Sequence, residues 1–225
     1  MSIAFVSQSS ITASSGSISN VWAGLTLVSG QRCMLVIDKG NVETIASITD
    51  NGSNAWTQLG VDIVDVPFAE RWSTWEGIIT GAATALTLTY SAVSTGQSLR
   101  LFLKQHTGAN QSIPGQIVSS RQVAPTLATD AMTSGTLIPA AQPGLLSGYG
   151  QVAFNALNAA GTGFTDRGEN GAIGDHERYE DKPITSTAAV AATFTAATNN
   201  NSTTIAVYWQ EAAIVASTNR ILFFG

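Results

Sequence analysis

The densest group of side chains that could do chemistry is a run of carboxylates in the second half of the chain. Six of them fall within sixteen residues: Asp166, Glu169, Asp175, Glu177, Glu180 and Asp181. Two carboxylates about 5–10 Å apart can hydrolyse a glycosidic bond, and a shell of about 6–8 oxygens can bind Ca²⁺. Four basic side chains are interleaved with these acids, which is typical of an ion-paired surface: Arg167, His176, Arg178 and Lys182.

We therefore interpret this charged segment as a polar contact surface for a neighbouring subunit, in preference to a catalytic or calcium site. Its central residues are Asp175, His176, Glu177, Arg178 and Tyr179. On this interpretation, reversing the charges of Glu177 and Arg178 weakens assembly.

Nucleophilic catalysis has little support in the sequence. The chain has no Gly-x-Ser-x-Gly motif, the motif that exposes a serine nucleophile on a sharp turn. Its two histidines, His106 and His176, lie in unrelated contexts, where a solvated or hydrogen-bonded imidazole is the default. The sequence assigns no catalytic residue, no metal ligand and no cofactor, and we expect a protein that is not an enzyme.

Asp50, Gly52 and Asn54 offer a second, weaker candidate for calcium binding. Their side chains supply too few oxygens for a calcium shell. Asp and Asn are also the residues that an Asx-turn requires. We therefore expect a turn at this position.

Exposed aromatic side chains could form a stacking platform for a sugar, and Trp72, Trp75 and Tyr179 are the candidates. Trp75 alternates with core positions and is expected to be buried. Trp72 follows the loop after Pro67 and is the better candidate, with Tyr179 as a companion.

The elements that must position these residues are strands. The stretch from Val42 to Gly108 alternates apolar and polar residues, which buries one face of an antiparallel sheet. A turn at Asp50-Asn51-Gly52 between two apolar runs predicts a β-hairpin. Pro67 excludes a central strand from residues 62–71, so that segment is expected at an edge or in a loop. Residues 158–187 show the least regular pattern.

These patterns predict an all-β fold, an antiparallel two-sheet β-sandwich of jelly-roll type. We expect a single domain over residues 1–225, with twelve to fourteen strands, no helix and no internal repeat. The lone cysteine, Cys33, lies in an apolar strand and is expected to be a small buried side chain.

Charge and hydropathy exclude several classes of protein. Charged residues make up 11% of the chain and the net charge is −5, without the basic patch that nucleic-acid binding needs. Membrane binding is disfavoured for the same reason, and no apolar run approaches the ~20 residues of a membrane span. The N-terminal sequence lacks the basic and apolar regions of a secretory signal. We therefore expect synthesis in a cytoplasm.

The order of short motifs resembles lectin-like jelly-roll domains of tailed-phage virion proteins and some bacterial surface proteins. The first half carries SITDNGSNAWTQLG, WEGIITGAATALTLTY and LFLKQHTG, and the second half carries PAAQPGLLSGYGQVAF, GTGFTDRG and DHERYEDK. The positions that match the pattern in the first half are Asp50, Trp56, Thr57, Gly81, Ala82, Thr107 and Gly108. In the second half the pattern has Pro-Gly-Asp-Leu at the start of a strand, and Leu145 stands in place of the Asp.

The resemblance implies a non-enzymatic bacteriophage virion protein, made in the host cytoplasm, that decorates or cements the capsid. Its expected partners are other virion proteins, a major capsid or tail protein, and further copies of the same chain in a homo-oligomer. The apolar end ILFFG (221–225) is expected in such contacts. The alternative is a lectin-like receptor module of a tail or fibre that binds a cell-surface glycan, and a glycan-degrading enzyme is a third, less favoured hypothesis.

Overall fold

The computed structural model describes residues 2–13, 18–40, 44–66, 69–92, 99–123, 131–141, 143–153, 157–172, 175–196 and 201–213. These residues form sixteen strands and no helix. In chain order the strands are β1 (Ala4–Ala13), β2 (Ser19–Leu27), β3 (Gln31–Gly40), β4 (Ile45–Asp50), β5 (Ala55–Asp65), β6 (Glu70–Ile78), β7 (Ala83–Tyr90), β8 (Leu99–Thr107), β9 (Gln116–Gln122), β10 (Met132–Thr133), β11 (Gly144–Ala153), β12 (Leu157–Ala160), β13 (Thr165–Ala172), β14 (Asp175–Ile184), β15 (Thr193–Ala196) and β16 (Ser202–Gln210).

The strands form four sheets whose order repeats between the two halves of the chain. In the first half, β1-β8-β3-β6-β5 is a five-stranded sheet and β2-β7-β4 a three-stranded sheet. In the second half the same order recurs as β9-β16-β11-β14-β13 and β10-β15-β12. Each half is therefore one unit wound in the jelly-roll manner, with its fifth strand paired to the sixth in the larger sheet.

The units also repeat in detail. The central strands β3 and β11 both have ten residues, and β8 and β16 both have nine. The fifth strand of each unit is an edge strand with a bulge, at Leu59/Ile63 in β5 and at Asp166/Glu169 in β13. A glycine with positive φ lies in each bulge, Gly60 at 65° and Gly168 at 95°, where other residues would be strained.

Three hydrophobic clusters show how the four sheets are layered. The first cluster lies between the two sheets of the first unit and includes Leu35, Leu88 and Leu103. The third lies within the second unit and includes Leu146 and Phe194. The second cluster joins the units, because it combines side chains of both five-stranded sheets. The large sheets therefore pack face to face in the middle, with a small sheet on each outer side.

Contacts across the middle relate the units as an approximate two-fold axis would. Gln151 of β11 donates to Asp38 of β3 at 3.4 Å, so the two central strands face each other. On one side of this point His106 of β8 lies 3.5 Å from Asp181 of β14. On the other side Trp209 of β16 donates to Glu76 of β6 at 3.4 Å. This is the symmetry of an isologous dimer interface, here within one chain.

The predicted all-β class, with antiparallel sheets in a sandwich, is confirmed, and Cys33 and Trp75 are buried as expected. The repeat of strand order was not visible in the sequence, because equivalent positions of the two five-stranded sheets carry different residues. The prediction of one domain over residues 1–225 stays a prediction. The ILFFG end lies outside the described residues.

Two local predictions were wrong. Asp50-Asn51-Gly52 does not close a hairpin, because β4 pairs with β7 and β5 pairs with β6; the turn carries the chain from one sheet to the other. Residues 158–187 are not irregular, since they form most of β12, β13 and β14. Of residues 62–71, residues 62–65 belong to the edge strand β5 as expected, but residues 70–71 begin β6, which lies inside the sheet between β3 and β5. Pro67 lies outside the described residues.

Candidate functional site: the buried seam and its edge pocket

The layer of side chains between the two five-stranded sheets, here called the seam, contains charged side chains that are buried and paired with one another. Its densest part lies between β8 of the first unit and β14 of the second. Lys104 Nζ is 2.6 Å from Asp181 Oδ1 and donates to the Glu180 carbonyl at 3.0 Å. Arg167 of β13 approaches the other oxygen of Asp181 at 2.8 Å. Lys104 is 0% exposed and Asp181 1% exposed, so the cluster is shielded from water.

Burial and charge shift the pKa values of this cluster in different directions. Burial lowers the pKa of Lys104 to about 8, against the opposing pull of Asp181. Burial alone would raise the pKa of Asp181, but the Lys104 ammonium and the nearby His106 ring bring it well below its usual range. Burial lowers the pKa of His106, which makes the neutral imidazole the stable form at pH 7.

Three further sets of paired charged side chains lie in the seam. Arg32 and Glu76 form an ion pair at 2.7 Å, and Glu76 also accepts from the Gly115 amide. Arg100 bridges the units, at 2.5 Å from Asp38 and 3.5 Å from Glu177. Arg121 pairs with Asp65 and lies over the Trp72 ring at 4.6 Å.

These ion pairs hold the two units together. A buried ion left without its partner costs several kcal/mol, so each pair that spans the two sheets fixes their relative position. Lys104 and Asp181 come from different units, as do Arg100 and Glu177. The perturbed pKa values of the cluster therefore have a structural explanation.

The seam opens at one edge into a pocket, here called the edge pocket, between β1 of the first unit and β13 and β14 of the second. Its volume is about 210 Å³ and it is lined by Gln8, Ser9, Ser10, Glu169 and Tyr179. Gln8 donates to the Arg167 carbonyl at 2.7 Å. Glu169 is 2.9 Å from His176 at the rim. The lining therefore combines polar and apolar surface and comes from both units.

The structure separates the residues that the sequence analysis grouped as one contact surface. Glu177 is buried in the seam, and Tyr179 is also buried, at 3% exposed, and lines the edge pocket. Arg178 and His176 point outward and pair with Asp166 and Glu169. This is the alternation of a strand, and it means that Glu177 and Arg178 do not share a face. Only the backbone of Asp175 belongs to the described part.

Trp72 is also not where a sugar platform requires it. It is 1% exposed, because the Arg121 guanidinium covers its ring. A solvent-exposed stacking face is therefore absent at Trp72. For the other surface residues, contact with a partner or a glycan stays a prediction.

Asp50 forms the expected Asx-turn. Its Oδ1 accepts from the amides of Gly52 and Asn54 at 2.9 and 3.0 Å, and its Oδ2 accepts from the Trp56 indole at 2.8 Å. These bonds bring the pKa of Asp50 below its usual range, although its burial acts the other way. Among the described residues no group of three or more His, Cys, Asp or Glu side chains is placed to hold a metal ion.

Comparisons with family models, with curated proteins and with solved structures found no match for this chain. The protein can therefore be classed by its fold alone, as two jelly-roll units joined by a buried polar seam. Within the described ranges, no helix has the length and apolar character needed to cross a membrane.

Sequence reasoning missed the residues that build this site. Lys104 and His106 stand in LFLKQHTG, where their alternation with apolar residues predicted a solvated face. Their partner Asp181 is about 75 residues away, and a single sequence gives no signal for that pairing. Gln8, Ser9 and Ser10 lie in a Ser/Thr/Gly-rich stretch that is typical of a connection between strands, but they belong to β1.

Proposed function

We propose that this chain is a non-enzymatic structural protein of a bacteriophage particle, positioned on the capsid surface as a decoration or cement protein. The observation that carries the proposal is the seam. Charged side chains of both units are buried and paired there, as in Lys104–Asp181 and Arg100–Glu177, and they join the two sandwich units. The resemblance of the sequence motifs to phage virion domains supports the same assignment.

The edge formed by β5 and β9 supports a role in contacts with neighbouring chains. Both are edge strands of the large sheets, and edge strands offer unpaired backbone groups. Val61 and Val66 at this edge are 86% and 75% exposed. Val123, just beyond β9, is also exposed. Apolar side chains on an open edge fit a surface that another protein covers.

The test measures the mass of the purified protein by light scattering, and its co-sedimentation with intact phage particles. We expect an oligomer in solution, saturable binding to particles, and weaker binding by Val61→Asp and Val66→Asp. Val21→Asp is the matched control, because Val21 is 65% exposed on a small outer sheet. A monomer that ignores particles would contradict the proposal, and unchanged binding by the β5 variants would contradict the assigned edge.

The second candidate is a carbohydrate-binding module of a tail or fibre. The burial of Trp72 removes the support that this hypothesis had from an exposed tryptophan. The edge pocket favours it instead, because it is open to solvent and its lining includes polar side chains. A monomer that binds glycan and does not bind particles would support this candidate over a decoration protein.

A further inference from the structure

We propose that a second pocket, here called the loop pocket, binds one carboxylate group on a short aliphatic stem. The pocket lies beside the connection between β14 and β15 of the second unit and has a volume of about 210 Å³. It is lined by residues 182–186 and 188–190. The carboxylate comes from a free organic acid or from an acidic side chain of a second copy of this chain. The inference does not depend on the role proposed above.

The repeat of strand order provides an equivalent place in the first unit for comparison. The central strands β3 and β11 are matched where they face each other in the seam. The strand registers then make Gly77 of β6 equivalent to Lys182 of β14. They also make Trp56 of β5 equivalent to Phe164, which directly precedes β13.

In the first unit this place is filled, and its carboxylate is internal. The Trp56 ring covers Gly77 so closely that a Cβ on this glycine would lie 2.7 Å from the ring. The Trp56 indole donates to Asp50 Oδ2 at 2.8 Å, and Asn54 Nδ2 donates to the same oxygen at 3.0 Å. Asn54 in turn accepts from two amides of the β6–β7 turn. The fold therefore holds a carboxylate beside this turn.

In the second unit the same place has a cation and no acid in its crossover. Phe164 has no ring N–H to donate, and the crossover from β12 reads Ala-Gly-Thr-Gly-Phe over residues 160–164. Lys182 stands where the first unit has a glycine, and its Nζ lies 5.1 Å from the centroid of the Phe164 ring. The second unit thus offers a positive charge where the first unit has its own negative one.

Lys182 has no carboxylate partner among the residues that the structure describes, where its ammonium group contacts the Phe164 ring. Every described arginine forms an ion pair with a carboxylate, and so does Lys104. In a chain with a net charge of −5, a lysine without such a partner is an exception. A bound carboxylate would supply the missing counter-charge through a charge-assisted hydrogen bond.

The connection between β14 and β15 adds further hydrogen-bond donors. It spans residues 185–192, whereas the equivalent turn between β6 and β7 spans only residues 79–82. Within the described part of the chain, the amides of Ser186, Ala188 and Ala189 donate to no backbone carbonyl, and these residues are exposed. Amides in such irregular segments are frequent donors to anions. The loop pocket therefore combines a cation with amides that a ligand can reach.

The surroundings favour an anion with one negative charge over an anion with two. Glu180 lies two residues from Lys182, on the same face of β14, and two backbone amides hold its carboxylate. This acid opposes the second charge of a phosphate dianion, whereas Lys182 balances a single carboxylate.

The size and the apolar part of the lining define the stem of the ligand. Drug-sized ligands occupy pockets of about 300–1,000 Å³, and the loop pocket is smaller than this. Pro183, Ile184 and Val190 contribute apolar side chains to its lining. These side chains fit the methylene groups of a short organic acid or of an Asp or Glu side chain.

The test is an NMR titration of the ¹⁵N-labelled protein with sodium propionate, with sodium chloride at the same ionic strength as the reference and phosphate as the dianionic rival. We expect propionate to shift the amide signals of Ser186, Ala188 and Ala189 saturably, and chloride to leave them in place. Equal shifts with propionate and chloride would overturn the proposal, because they would report screening alone. Saturable shifts with phosphate only, or no shift with any of the three salts, would also overturn it.

Variants locate the site and separate binding from folding. Lys182→Met keeps the stem of the side chain and removes its charge, so we expect propionate to bind about tenfold more weakly or less, with an unchanged melting temperature. Lys182→Arg should retain binding. Arg71→Met is the control, because Arg71 is a cation that already pairs with Asp62, at 2.6 Å. Equal binding by Lys182→Met and wild type would overturn the proposal.

The mass of the protein in solution distinguishes the two sources of the carboxylate. If a second copy supplies it, Lys182→Met and excess propionate both lower the mass that light scattering measures. If a free acid supplies it, the mass stays constant while propionate still shifts the amides. Either result, together with the propionate shifts, supports the loop pocket and identifies the source.

Discussion

Single residues in the seam show why burial cannot be deduced from charge alone. Glu177, Glu180 and Asp181 belong to a segment whose alternating charges are typical of a solvated surface, yet each is 1% exposed or less. The counter-charges of Glu177 and Asp181 come mainly from β8, which lies in the other unit. Local patterns predicted the buried side chains of Cys33 and Trp75 correctly, because those depend on neighbours along one strand. The burial of Asp181 depends on a partner far away in the sequence.

The Lys104–Asp181 pair gives a prediction for stability. Asp181→Asn leaves the ammonium of Lys104 in the seam with only the Glu180 carbonyl near it. We expect a loss of about 3–5 kcal/mol in the free energy of unfolding, the cost of breaking a buried pair. Urea denaturation followed by tryptophan fluorescence measures it.

The control for this variant is Asp166→Asn, which breaks the more exposed pair with Arg178. Exposed pairs contribute about 0–1 kcal/mol, so this change should be close to neutral. Similar losses in the two variants would mean that the seam does not shield its charges as the structure indicates.

Glu180 gives a prediction for pH. Burial raises its pKa from 4.5 to about 7, although the amides of Gly161 and Thr193 donate to its carboxylate. Between those two pH values the folded protein keeps a proton that the unfolded chain has released. The stability that this proton contributes is therefore present below pH 4.5 and is lost as the pH rises to about 7.

The measurement compares the unfolding free energies of wild type and Glu180→Gln from pH 4.5 to 8. Relative to the variant, wild type should lose up to about 3 kcal/mol as the pH rises. His106 has a lowered pKa and acts in the opposite direction, but it is present in both proteins and cancels in the difference. A difference that is flat over this range would contradict the raised pKa of Glu180.

At the scale of elements, the turns and bulges decide which sheet each strand joins. Asp50-Asn51-Gly52 was correctly predicted as a turn, but not as a crossover between sheets, because a two-residue signal does not specify where the next strand pairs. Gly148 and Gly150 lie in β11, the central strand of its sheet. Phe194 and Ala192 of the small sheet occupy the space that side chains at these glycines would need. The glycines thus allow the close packing of two sheets, which periodicity does not reveal.

Asn54 gives a prediction at this scale, since it fastens the β4–β5 crossover to the β6–β7 turn. Its Oδ1 accepts from the amides of Thr80 and Gly81 at 2.8 Å, and its Nδ2 donates to Asp50 and the Gly81 carbonyl. Because Asn54 is buried, Asn54→Ala should leave several of these groups unsatisfied. We expect a loss of about 3 kcal/mol in thermal or chemical denaturation.

Asn51 is the matched control in the same turn. It bonds in the same manner to Thr84 and to the Ala85 amide, but it is exposed, so water can replace it. Asn51→Ala should therefore cost about 1 kcal/mol or less. Equal losses for the two variants would indicate that burial does not govern the strength of this crossover.

At the scale of the whole molecule, the seam is both the interface between two units and the place where their symmetry is broken. His106 and Trp209 occupy equivalent positions, and each directs a ring nitrogen toward a carboxylate of the other unit. The strand registers also make Gln8 and Ile117 equivalent. Gln8 lines the edge pocket, whereas Ile117 packs against the central hydrophobic cluster. The two halves share their strand order and the directions in which their side chains point, but not their residue types. A comparison of their sequences therefore does not reveal the repeat. The fold class was therefore predictable, and the seam was not.

The dependence of each unit on the seam can be measured by separating the units between Ser112 and Ile113. A fragment of residues 1–112 would expose Trp72, Phe102 and the charged Lys104, all of which the second unit covers. We therefore expect each fragment alone to aggregate or self-associate, and co-expressed fragments to copurify as a one-to-one complex that unfolds in a single transition. Asp181→Asn in the second fragment should weaken that complex. If residues 1–112 were instead a monomer with its own cooperative unfolding, the seam would join two independently stable domains, and its ion pairs would position the units without being needed for their folding.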